Sequence, residues 1–270
     1  MKTYAFTTWR AFGDFVDDDR PDCPVYWRGQ RDPDWPLASS FERILLAMEG
    51  GSRPGASQIY PYGNRYRQGA SRVWPAGFYQ ETRDRYLDLF KRSVSGLRGA
   101  NPIELTTDQW WALGRHYGLI TPLLDWTEKP YVTAFFSLME LFRLSDDPVA
   151  RPAADESITI YRLCHTERLE GDGLRVLQPQ LDELGRLQHQ RGLFTWLDSE
   201  TYFELQGFLD NTGRGDLLTQ ITLSADVLGD GLRDLDTHGI DYRMLLPDLT
   251  GAALDANARA DQRLRSMGLR

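Results

Sequence analysis

His116-Tyr117-Gly118-Leu119-Ile120-Thr121-Pro122-Leu123-Leu124-Asp125-Trp126-Thr127, with Pro130 close behind, is the stretch on which the fold turns. A glycine just past a periodic run is a helix stop, so a helix over 108–117, capped by Thr106 or Thr107, is predicted to end at Gly118. The apolar run beyond it reads as a strand. Pro130 then opens a further helix through Tyr131, Val132, Ala134, Phe135, Phe136, Leu138 and Met139, apolar nearly all round and so expected to be buried. Polar groups are thus packed at both ends of a hydrophobic element. Asp125 and Thr127 can simply cap the following helix, and His116 can be a satisfied core histidine. Asp-Trp-Thr after an apolar strand is also a ligand shelf, a flat indole beside two hydrogen-bonding groups.

Working outward, Tyr26-Trp27-Arg28-Gly29-Gln30 follows Pro24 and reads as a short strand entering the turn Arg31-Asp32-Pro33-Asp34. Residues 50–77 hold glycine, proline, arginine and tyrosine without a period, as a long surface loop would. Leu87, Phe90, Val94 and Leu97 recur at helical steps, which predicts a helix over 81–97. Downstream, 157–163 and 218–223 alternate as half-buried strands. Ser224 can cap a helix carrying Val227, Leu228, Leu232 and Leu235 that ends at Gly239. Tyr242 to Leu246 reads as one more strand, and the tail from Gly251 as helix. Helices come early and strands mix in later, with no βαβ rhythm and no linker or repeat, so the expected class is α+β in a single domain.

The composition bounds the possible functions. At 270 residues, 41% hydrophobic and 26% charged, the chain is an ordinary globular protein. It has no apolar run long enough to cross a membrane as a helix. The first residues lack the charged-then-apolar pattern of a signal peptide. Cys23 and Cys164 are too few for a disulfide framework or a cysteine-rich zinc site, so a reducing cytoplasm is the expected compartment. The net charge of −8 argues against a protein coated in nucleic acid, yet residues 51–100 alone sum to +6. That segment, Arg53 to Arg98, is a weak pointer to a phosphate-bearing ligand.

Familiar catalytic signatures are missing: there is no phosphate loop with its lysine, no H-E-x-x-H and no G-x-S-x-G. His116, His165, His189 and His238 lie far apart with no cysteine pair beside them, so no metal site is expected. Two clusters join the one already quoted. Arg28 and Gln30, two apart on a strand, share a face; Arg28 can grip a phosphate or carboxylate with its fork, and Gly29 lets a ligand approach the backbone. The bland reading is an internal ion pair beside a bulge. In Arg186-Leu187-Gln188-His189-Gln190-Arg191-Gly192-Leu193-Phe194, Gln188 and Gln190 would share a face of an extended segment. Amides do not titrate, but they hold hydroxyls well. The bland reading is a polar surface loop.

Together these blocks resemble the FRG family, whose Phe-Arg-Gly motif stands here as Trp27-Arg28-Gly29. The W-x-x-R-G-Q block and its following L-x-x-x-x-x-R match Arg28-Gly29-Gln30 and Leu37 through Arg43. The Q-H-x-G-x-x-T-x-L-L-D-W-T block and P-x-x-A-x-x-F-A match His116, Gly118, Thr121, Leu123 to Thr127, Pro130 and Ala134 to Phe136. The Q-x-G-x-F block matches Gln190, Gly192 and Phe194, and Gly239-Ile240 with Leu246 to Leu249 is similar to the family's C-terminal end. The chain departs from the pattern at Arg115 (usually glutamine), Ile120 (proline) and Pro122 (often arginine). The resemblance spans nearly the whole chain, implying an FRG domain over 1–270 with a basic loop insertion around 50–79.

What the resemblance implies is a toxin or phage-defence effector. The order of its blocks is similar to that of ADP-ribosyltransferases, with their split β-sheet core and flanking helices. On that likeness NAD is the substrate, and Arg28, Asp125 and Gln190 are catalytic. Arg28, Gln30, Arg43, His116, Trp126, Thr127, Gln188 and Phe194 bind the nucleotide, with no metal. The acceptor would be RNA, DNA or protein held near 53–98, and an antitoxin would be a partner. The alternative is a non-catalytic module that senses a nucleotide or nucleic acid.

Overall fold

The sheet is built from the alternating segments, and two of its central strands are the ones that carry the Arg-Gly-Gln and Asp-Trp-Thr blocks. The computed structural model describes residues 1–30, 35–49, 77–99, 104–143, 156–178, 185–199 and 202–267. The chain opens with β1 (Lys2–Phe6), α1 (Trp9–Asp18), β2 (Val25–Gln30) and α2 (Ser40–Glu49). Then come α3 (Phe78–Ser93), α4 (Thr107–His116), β3 (Leu124–Thr127), α5 (Pro130–Arg143) and β4 (Ser157–Cys164). Next are α6 (Glu167–Gly171), β5 (Leu174–Leu177), α7 (Arg186–Gln190), β6 (Gly192–Leu197) and α8 (Leu205–Asn211). The chain closes with β7 (Leu218–Ser224), α9 (Leu228–Thr237), α10 (Tyr242–Leu245) and α11 (Leu249–Ser266).

The strands form one mixed sheet in the order β1-β7-β4-β2-β3-β6-β5, in which β1 and β7 run parallel and every other pairing is antiparallel. With helices on both sides, this is the α+β single domain that the patterning predicts. β2 and β3, side by side at its middle, are joined by a single pair, Trp27 with Thr127. Beyond it the ladder stops, so a four-stranded part and a three-stranded part diverge.

Strand alternation sends Trp27, Ile158, Ile160, Ile221 and Leu223 to one face, where they meet α1, α5 and α9 in the largest core cluster. Tyr26, Tyr161, Leu163, Leu124, Trp126 and Leu193 point the other way, against α6 and α8. On the first face, Phe194 and Trp196 of β6 pack under α3 and α4. Helix α5 therefore covers one part of the sheet and α3–α4 the other, and the divergence of β2 from β3 lies between them.

Helix ends follow the local signals. Thr106 closes a capping box with Gln109 (3.3 and 2.8 Å), and Gly118 follows α4 with φ +85°. Gly239, with φ +71°, follows α9.

Four readings are corrected. Tyr242 to Leu246 is not a strand: Asp241 accepts a hydrogen bond from Met244 N at 2.8 Å and caps the short α10. Gln188 and Gln190 lie on a helical turn, so they point to different sides rather than sharing a face. The helix expected over 81–97 runs over Phe78–Ser93 instead. Cys23 and Cys164, read as too few for a disulfide framework and as pointing to a reducing compartment, are joined in a disulfide that ties the chain before β2 to the end of β4; strands β2 and β4 pair so that Val25 lies opposite Cys164. The loop and turn expected at 50–76 and 31–34 lie outside the described residues.

Candidate functional site

Where β2 and β3 part, the Arg28 side chain takes up the space. Its Nη1 donates to the Asp125 carbonyl oxygen at 2.9 Å and lies 3.6 Å from the Asp125 carboxylate. On its other side the carboxylate is gripped by Arg115 of α4, through Nε (3.1 Å) and Nη2 (2.6 Å). One carboxylate thus sits between two guanidiniums. Burial alone would push the Asp125 carboxyl up, but Arg115 and then Arg28 overcome it and hold the group below its ordinary range. Burial lowers Arg28 to about 10, which still leaves it charged at neutral pH. Asp125 is a strand residue held by ion pairs, not the cap of α5. Thr127 Oγ1 accepts from Lys129 N at 3.0 Å and so fixes the turn that leads into α5.

A cavity of about 180 Å³ opens at this point, walled by β2, β3 and α5. Arg28, Asp125, Thr127 and Gln190 all line it, so the three sequence clusters meet there. Thr127 Oγ1 donates to the Gln190 carbonyl at 2.5 Å, and the Gln190 amide donates to Leu245 O at 3.0 Å. Helix α5 adds Thr133, Ser137, Phe136 and Glu140, none of which the sequence analysis singled out as site residues. The signal was present: positions 133, 136, 137 and 140 are a helical stripe, and three of the four are polar in a helix read as buried. Two polar atoms of the walls, Arg28 Nε and Thr133 Oγ1, are buried without a hydrogen-bond partner among the described residues. Unmet donors and acceptors of this kind are what a ligand satisfies.

Gly29 permits this wall to exist. A Cβ there would lie 1.8 Å from Ser137 Oγ and 3.2 Å from the Thr133 carbonyl, so the element that approaches the backbone is α5. The sequence reading had a ligand in that place.

The remaining expected binding residues lie elsewhere. Gln30 is buried, donates to Trp35 O (2.6 Å) and accepts from Arg43 Nη2 (3.1 Å), so both residues tie β2 to the start of α2. The Trp126 backbone reaches the cavity, but its indole packs on the opposite face of the sheet and donates to Thr195 Oγ1 at 2.8 Å. Flat apolar walls come from Trp27 and Phe136 instead. Phe194 is a core residue beneath α4. His116 closes α4 and lies outside the cavity wall, and Gln188 faces a neighbouring groove. Among the described residues no group of histidine, cysteine and carboxylate side chains has the arrangement of a metal site.

Chemically, the cavity offers a guanidinium for an anion, hydroxyls and an amide for a polyol, and a second carboxylate, Glu140, whose charge acts on Arg28. Among the described residues no histidine lines it.

Residues 24–143 match the FRG domain family. The FRG match runs from just before β2 to the end of α5, and so contains every wall of the cavity except Gln190. No curated protein and no solved structure matches the chain. Among the described residues no helix is long and apolar enough to cross a membrane.

Proposed function

We propose that the cavity is the active site of an NAD-dependent ADP-ribosyltransferase. The convergence of Arg28, Thr127 and Gln190 on one hollow, at the point where a sheet of four and three strands divides, carries this reading. A volume of about 180 Å³ is below the roughly 300 Å³ at which whole-ligand pockets begin, so one end of the dinucleotide enters. Arg28 holds the ribose or phosphate, Phe136 and Trp27 flank the nicotinamide ring, and Gln190 and Thr127 orient the ribose hydroxyls.

The reaction asks little of acids and bases. The bond from ribose C1′ to the nicotinamide nitrogen breaks with its electron pair going to nicotinamide, which leaves neutral. The acceptor's nucleophile bonds to C1′ and passes its proton to solvent. Positioning and desolvation of the ribose supply most of the effect, and a carboxylate offsets the positive charge that develops at C1′. Asp125 and Glu140 are the two carboxylates of the cavity wall that supply this offsetting charge. On this reading the FRG unit runs over 1–270, because the β2 and β3 edges within 24–143 are completed by β4 and β6 from outside it. A toxin or phage-defence role, with a macromolecular acceptor near 53–98 and an antitoxin as partner, belongs to the same proposal.

A non-catalytic nucleotide sensor is favoured by one observation: Gln190, an amide, stands where a transferase would carry a charged group, and its NH₂ is tied to Leu245 O. Labelled NAD decides between the two. The transferase passes label to a component of cell lysate, and Arg28→Ala abolishes transfer in protein that still melts cooperatively. Nucleotide binding by calorimetry with no transfer by the wild type gives the sensor instead.

A further inference from the structure

A second hollow adjoins the first. It is a groove of about 710 Å³ on the far side of the Thr127–Gln190 wall, with Lys129, Gln178, Gln188, His189 and Arg191 among its lining and Leu187, Leu193 and Met244 as its apolar floor. Its cations sit on two junctions that are hydrogen-bonded to each other: Glu128 N donates to Arg191 O at 3.1 Å, beside the bond from Thr127 Oγ1 to Gln190 O. Most guanidiniums among the described residues are paired with carboxylates or carbonyls. The side chains of Lys129 and Arg191 make no ion pair and no hydrogen bond among the described residues, although both are exposed on the groove. Arg191 also has φ +49°, the single non-glycine residue in the left-handed region among those described. That conformation costs roughly 1–2 kcal/mol, and with glycine next in the chain at 192 the arginine is a costly choice at this position.

From these observations we infer that the groove is a binding site for a phosphate ester, with Lys129 and Arg191 as its ligands. Lys129 supplies a point charge, Arg191 a fork, and the carboxamide of Gln178 lines the same groove. Glu128 also lines the groove and opposes an anion, so the two cations leave an excess of one positive charge. The site is separate from the Arg28 cavity and does not depend on the NAD reading. The phosphate can belong to a free nucleotide or to a nucleic-acid strand, which share this chemistry.

The test titrates the full chain with ADP and, separately, with a short single-stranded DNA oligonucleotide. Wild type is compared with Lys129→Gln, Arg191→Gly and Arg28→Ala by calorimetry at low salt. Each groove substitution is expected to weaken binding by about tenfold or more, because a charge-assisted contact is lost. Arg191→Gly should melt no lower than wild type, since glycine relieves the left-handed backbone, so its lost affinity is not lost folding. Weakened ADP binding assigns the site to free nucleotide; weakened oligonucleotide binding alone assigns it to a strand. The inference is overturned if neither probe binds, or if binding is indifferent to both groove substitutions. It is equally overturned if binding is lost only in Arg28→Ala, which would put the phosphate in the cavity. Failure of NAD transfer with groove binding intact overturns the transferase reading alone.

Discussion

Asp125 shows how far a single residue can be read from sequence. Its place in the Asp-Trp-Thr block marked it as polar and out of keeping with an apolar strand, but capping and ligand binding were equally open. What the sequence did not carry was Arg115, ten positions earlier on α4, whose fork occupies the carboxylate. Arg115 stands on α4, so the second guanidinium beside Asp125 comes from the helix. Replacing Arg115 by glutamine should raise the Asp125 pKa, read by an NMR titration of the carboxyl. The sign follows from the depressed value: the stabilisation is present above the ordinary carboxyl pKa and disappears as pH falls through the folded one. Since both partners are more than a third exposed, the loss near neutral pH should be only about 1 kcal/mol by urea unfolding. Glu42 has the opposite sign. Burial pushes its carboxyl up to about 7, against hydrogen bonds from Tyr79 and the backbone that work to lower it. The folded state therefore favours the protonated form, and stability should fall as pH rises from the ordinary carboxyl range towards 7. Glu42→Gln keeps an acceptor for the Tyr79 hydroxyl without the charge. It should melt higher than wild type at about pH 8 and close to it at about pH 4, a gain on the order of 3 kcal/mol at the upper end.

Among the elements, β4, β7 and α9 were legible from their period, α4 from its cap and glycine stop, and α5 and β2 from the proline that precedes or opens each. The segments around 188 and 242 were not. Four- or five-residue runs hold too few side chains to separate period 2 from period 3.6, and α10 is decided by one aspartate cap. Strand faces were the other gap. Trp126 and Asp125 are neighbours in sequence and point to opposite sides, so a motif that reads as one shelf is divided between the cavity and the core. The contact of α5 with β2 is the element-level feature on which the cavity depends. Gly29→Ala would force Ser137 and the Thr133 turn outward, costing about 1–3 kcal/mol as overpacking does. Chemical denaturation should show that loss, and activity should fall with it because Arg28 and Thr133 are displaced together. An alanine variant as stable as wild type would contradict this packing.

At the scale of the whole molecule, the α+β class and the meeting of three distant sequence blocks were foreseeable. The disulfide was not, since two cysteines 141 residues apart carry no pairing signal until β2 and β4 are known to be neighbours. Cross-linking so long a loop restricts the unfolded chain, so Cys23→Ser with Cys164→Ser should cost about 2–5 kcal/mol in guanidinium unfolding under oxidising conditions. An unchanged midpoint would mean that the bond contributes nothing to the fold. The groove and the cavity back onto one another across Thr127 and Gln190, which places two binding surfaces at the division of a single sheet. The account as a whole rests on that division being where a ligand sits, and a crystal structure of the full chain grown with NAD tests it most directly. The account predicts electron density between β2, β3 and α5, touching Arg28 Nε and Thr133 Oγ1; density for the nucleotide against any other face, with those two atoms still unmet, would contradict it.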